Sequence, residues 1–132
     1  MILLSSVKTL LAAEPRSSDI TVSNAFFYVP IGTSKTTTAF FTITNRSSSD
    51  IRITGVSSHQ ATQVMLMADL ILVVPAHQSI VLKSGGPYLQ INGLKGRLST
   101  GDELYLLVNL SNGRSLELVA FAKSAYDQVH GH

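Results

Sequence analysis

No cysteine occurs in the 132 residues, so disulfides, thiolate zinc sites and cysteine nucleophiles are excluded at the outset. Any metal would have to be held by histidine, methionine or carboxylate. Charge is scarce as well. Charged residues make up 14 %, the formal net charge is +2, and Lys and Arg are scattered from Lys8 to Lys123. No run of cations could follow a phosphate backbone, which sets nucleic acid aside as a partner. The apolar opening, Met1 to Ala13, is too short and too interrupted by Lys8 to span a bilayer, so no integral membrane segment is expected. A Gly-x-Ser-x-Gly elbow and a phosphate-binding glycine loop are both missing, and the eight acids fall mostly in turns. The chain is not expected to be an enzyme.

What is present is apolar residue content of 45 % in a chain long enough for one domain. From Ser18 onward apolar and polar residues alternate with period two, and turn residues recur every eight to twelve positions. Ile20 and Val22 alternate, Ala25 to Val29 continues as an aromatic strand, and Thr38 to Asn45 places Ala39, Phe41 and Ile43 on one face. Ile51 and Ile53 alternate before Gly55, which predicts a bulge or a bend. Gln63 to Met67 reads as a strand with Val64 and Leu66 inward and Met65 and Met67 on the other face. Leu70 to Val74 is a continuous apolar run stopped by Pro75. Ile80 and Leu82 form a short strand, and Tyr88 to Ile91 another, ending at Asn92-Gly93. Leu104, Leu106, Val108 and Leu110 alternate clearly, Ser111-Asn112-Gly113-Arg114 turns, and Leu116, Leu118 and Ala120 return. The Asn-Gly pair predicts a type I′ hairpin.

About nine short strands without a helical period predict an all-β fold, an antiparallel Greek-key β-sandwich. Residues 18–124 form the domain. Residues 1–17 read either as an apolar N-terminal arm or as a remnant export signal, since Ala12-Ala13 resembles a signal-peptidase site without a positive n-region. Residues 125–132 are a polar tail.

The soft-metal candidates are Met65 and Met67, two thioethers on one strand face; thioether sulfur suits Cu(I). The bland alternative is packing by adaptable methionine against a loop or a partner. His59 lies eight residues before Met67, too far to share a metal along a straight strand. His77 follows Pro75-Ala76 in a turn, and His130 and His132 sit in the tail, where a mobile pair would chelate weakly.

The order of these elements resembles the PCuAC family of periplasmic copper chaperones. The resemblance runs from about Ile20 to Ala122. It rests on Ile20-Thr-Val22, Asn24-Ala-Phe26, Ala39-Phe-Phe-Thr-Ile-Thr-Asn45, Gly55-Val-Ser-Ser58, Ala61-Thr-Gln-Val64, Val74-Pro-Ala76, Ser84-Gly-Gly86, Gly93-Leu-Lys95 and Leu98-Ser-Thr-Gly-Asp102, in that order, followed by the last hairpin. It implies a cupredoxin-like sandwich, export to the periplasm, Cu(I) as cargo and a copper-accepting protein as partner. The family's metal-site pattern is altered here. Its strand-end histidine falls on Met67, its Met-bearing insertion is missing between Ala68 and Leu70, and its His-x-Met falls on Tyr88-Leu89-Gln90. An alternative alignment lets Met65 and Met67 stand for the methionines of the insertion. Either way the resemblance implies a remodelled, weakened Cu(I) site. The alternative is an interaction module that has lost copper and makes contact through Met65, Met67, Tyr88 and Gln90.

Overall fold

A strand that alternates apolar and polar side chains must bury one face, and the longer strands of this chain do so around one core. The protein is described by a computed structural model covering residues 19–68 and 71–124. The strands are β1 (Ile20–Tyr28), β2 (Thr37–Asn45), β3 (Ile51–Ser57), β4 (Ala61–Met67), β5 (Val73–Val74), β6 (Gln78–Val81), β7 (Tyr88–Leu94), β8 (Glu103–Leu110) and β9 (Ser115–Lys123). They join in the order β4-β7-β2-β1-β9-β8-β3-β5, with β6 paired to the far end of β2. The sheet curls on itself, so the inward residues of both halves meet. Phe27, Ala39, Phe41, Ile43, Leu89, Ile91, Leu104 and Val108 are essentially inaccessible to solvent. The expected all-β sandwich is therefore present. Its pairings are antiparallel except one: β1 and β9 run parallel, Phe26 beside Phe121 and Tyr28 beside Lys123.

Three local readings need correction. The strand around Ile20 and Phe26, β1, does not alternate unbroken but carries a bulge between Ser23 and Phe26. Asn24 there takes a left-handed backbone (φ 55°), a conformation asparagine tolerates, and the extra residue switches the buried side from Ile20 to Phe27. Tyr88 to Ile91 does not end at Asn92-Gly93; β7 runs on to Leu94, and Gly93 (φ 69°) lies inside it. The hairpin joining β8 and β9 is not type I′, because of Asn112 and Gly113 only the glycine has positive φ. Gly113 N–H donates to Leu110 O (3.0 Å) and Leu110 N–H to Arg114 O (2.9 Å). That is a type I turn followed by a left-handed glycine, the next most common hairpin solution. The bulge expected at Gly55 is present, as a register shift between Ile53 and Gly55 against β8.

The curled sheet is stitched at its seam by Asn45, which is fully buried at the end of β2. Its Nδ2 donates to Ser49 O (2.7 Å) and to Val74 O (3.0 Å), and its Oδ1 accepts from Ser47 N–H (2.9 Å) and Ser47 Oγ (2.7 Å). One side chain thus closes the 46–50 turn and ties β2 to β5. Of the Leu70–Val74 run only Val73 and Val74 form a strand, Ile71 is 72 % exposed, and Leu70 lies outside the described residues. Residues 1–18 and 125–132, including the arm and His130 and His132, also lie outside them. Among the described residues no helix is long and apolar enough to cross a membrane.

Candidate functional site

Period two decides which side chains of β4 can act together. Val64 and Leu66 pair with Ile91 and Leu89 of β7 and pack on the core, as expected. Met65 and Met67 therefore turn to the other face. There the register sets Met65 directly opposite Gln90 and Met67 directly opposite Tyr88. The four residues singled out in the sequence form two cross-strand pairs, whose Cβ atoms stand about 4.5–5.5 Å apart in any antiparallel ladder. Met65 is the most open, 38 % exposed; Met67, Tyr88 and Gln90 are half-buried.

A polar ladder flanks the sulfur of Met65. Asn92 Nδ2 donates to Gln63 Oε1 (3.3 Å) and approaches Met65 Sδ at 3.7 Å. Its Oδ1 accepts from Gln90 Nε2 (3.1 Å) and from Thr36 Oγ1 (3.5 Å). A thiophilic ion arriving at Met65 would displace only the weak amide–sulfur contact. Sequence reasoning missed Asn92 because Asn92-Gly93 reads as a turn; its place opposite Gln63 follows only from the β4–β7 register.

Beyond Met67 the surface opens into an apolar groove of about 640 Å³, lined by Met67, Ile71, Leu72, Val73, Pro87 and Tyr88. The Ser84-Gly85-Gly86 turn forms its wall, with Gly85 (φ 88°) at the third position of a Lys83–Gly86 turn closed by Gly86 N–H donating to Lys83 O (2.9 Å). A type II turn requires that glycine.

The histidines do not join the methionines. His59 is exposed in the turn before β4, at the opposite end of that strand from Met67, and stacks on Tyr105 with ring centroids 6.2 Å apart. His77 is exposed in the turn entering β6, beside the Asn45 end of β2, whereas β7 pairs with the Thr37–Ala39 end. Among the described residues no three His, Asp or Glu side chains converge on one point. The donor set of the face is therefore two thioethers with amide and phenol oxygens beside them. It matches Cu(I) in kind, but two sulfurs fall short of the three or four donors that hold this ion firmly. At the far end of the sheet, Tyr105 Oη donates to Glu103 Oε1 (2.8 Å), and the hydrogen bond and negative charge of Glu103 raise the phenol above its ordinary pKa. In a spectrophotometric alkaline titration the Glu103→Gln variant should lose this late-ionising component. Stability owed to that pair is present below the free phenol's pKa and disappears as pH rises through the raised one.

The curled sheet, its strand order and the open face of β4 and β7 define a cupredoxin-like domain of the PCuAC type. The apo PCuAC domain of PmoF1 superposes with a TM-score of 0.76 at 17 % identity, over 80 % of this chain and 94 % of that one. The copper-bound PCuAC domain of PmoF2 gives 0.74 at 12 % identity, over 80 % and 93 %. The solution structure of CuI-DR1885 from Deinococcus radiodurans gives 0.67 at 24 % identity, over 89 % and 85 %. At these identities the likeness establishes the fold. The chain itself belongs to the LpqE-like family, described as "Putative lipoprotein LpqE-like", which matches residues 20–121. No curated protein sequence matches the chain.

Proposed function

We propose that this chain is an exported, PCuAC-like copper-handling domain whose Cu(I) site is remodelled onto Met65 and Met67 and weakened. One observation carries the reading: two of the three methionines in the sequence occupy neighbouring same-face positions on β4, opposite Gln90 and Tyr88. In the resemblance to PCuAC, Met67 stands where the family has its strand-end histidine and Tyr88 to Gln90 where it has His-x-Met, or else Met65 and Met67 stand for the methionines of the insertion. Copper-bound structures among the fold's neighbours and the lipoprotein character of the family support copper as cargo and the periplasm as compartment. The chain's role is binding and transfer rather than catalysis. Its partner is a copper-accepting protein that docks on the Met65, Met67 and Tyr88 face.

Competition with a Cu(I) chelator under anaerobic conditions tests this. The wild-type domain should withdraw Cu(I) from a weak chelator, and Met65→Leu/Met67→Leu should lower the affinity by at least about tenfold, about 1.4 kcal/mol. Leucine keeps the apolar volume, so the folded state persists. Equal affinity in the two proteins would remove the metal reading. A second reading is favoured by the groove with the exposed Ile71: a contact module that has lost copper. Binding of a partner that is weakened by Tyr88→Ala and indifferent to copper would select it.

A further inference from the structure

We infer that the Cu(I) site is completed by a second copy of this chain, paired edge to edge along β4 so that the metal is shared between two Met65–Met67 pairs. The inference rests on the copper reading above and deepens it. β4 is the terminal strand of the sheet: it pairs with β7 alone, and no backbone hydrogen bond joins it to β3 among the described residues. It is seven residues long, contains no proline, and carries no charge from Ala61 to Met67. Its neighbour β7 is equally uncharged from Tyr88 to Leu94. Exposed edges are ordinarily protected by lysine, proline or shortness, and none of these devices is present here. A two-strand ribbon without charge also presents nothing that repels its own copy.

Symmetry then supplies the missing donors. A two-fold axis makes edge-to-edge pairing antiparallel and self-complementary. With the axis at Leu66, Met65 of each chain stands directly opposite Met67 of the other, and the two Met65 residues stand diagonal to one another. Those positions lie about 4.5–8 Å apart between strands. Both methionines of each chain project from the same sheet face, so all the thioethers gather on one side of the pairing. Methionine has three rotatable bonds and adapts to close that distance. One chain offers two thioethers, too few; two chains offer four, a set that suits Cu(I). Copper release would then follow when an accepting protein competes for the same edge.

Sedimentation velocity and metal analysis on the full chain, with Cu(I) itself as probe, test the inference. Expected is a doubling of the sedimenting mass on adding Cu(I), with one copper per two chains. Met65→Leu/Met67→Leu, shown folded by circular dichroism, should stay monomeric at the same copper level. A monomer that binds one copper per chain and loses it in the double variant would overturn the shared site while leaving the methionine site intact. No uptake at all would overturn both. A dimer that forms equally without copper and survives the double variant would overturn the bridging metal.

Discussion

Replacing Asn45 by leucine should lower the stability of the domain by about 2–4 kcal/mol, the penalty for stranding buried polar partners. The side chain is fully buried and satisfies four partners at once. Ser47 and Ser49 sit in a turn that water can reach, so their lost bonds are partly replaced. Val74 is fully buried, and its carbonyl has no such substitute. For a domain of this size the loss corresponds to roughly 10 °C in Tm. Asn45→Asp separates the contributions: it keeps the acceptor for Ser47 and turns the donor into a carboxylate facing two carbonyl oxygens. That variant should be most damaged at neutral pH and recover stability as pH falls and the carboxyl regains a proton to donate. Thermal unfolding followed by circular dichroism at acid and neutral pH reads both effects. A leucine variant that melts with the wild type would mean the seam is not held by this amide.

Gly93→Ala should be comparably harmful, by about 2–4 kcal/mol, for a different reason. Gly93 has φ 69°, and a Cβ built there would lie 2.5 Å from Thr62 Oγ1 and 2.7 Å from Thr62 Cβ. Thr62 is β-branched and stands close to its own backbone, so β4 itself would have to move. That strand carries Met65 and Met67, so the damage should appear as a lowered melting temperature and, if the proposed copper site holds, also as poorer Cu(I) retention. The steric part is identified by a double-mutant cycle. Thr62→Gly should cost less in the Gly93→Ala background than in the wild type, since it removes the atoms in conflict. Additive losses would show that the clash is not the cause.

These two residues mark where the sequence stops being informative. The strands were legible from their alternation: Leu104, Leu106, Val108 and Leu110, and Ala39, Phe41 and Ile43, fall inward as their spacing requires. The face shared by Met65 and Met67 was legible for the same reason. Their cross-strand partners were not, because register is a tertiary property; Tyr88 and Gln90 came from the PCuAC resemblance, and β4–β7 pairing sets them opposite the methionines. Asn-Gly was ambiguous in itself. At Asn112-Gly113 it turns the chain, whereas at Asn92-Gly93 the glycine lets two strands approach closely inside the sheet. Asn24 hid a bulge by adopting a backbone usually left to glycine. Ile71, apolar and exposed, belongs to the wall of a groove that composition alone could not distinguish from core.

The parallel contact between β1 and β9 also governs the order in which this molecule can come into being. Phe26 to Tyr28 wait for Phe121 to Lys123, and Val29 N–H for Lys123 O at 2.9 Å. The other neighbour of β1, β2, is available early, but the second side of β1 stays bare until β9 arrives. Closing a contact across nearly the whole chain is slow, as in other folds dominated by distant pairings. Until β9 has formed, the second edge of β1 therefore stays unpaired and the curled sheet cannot close.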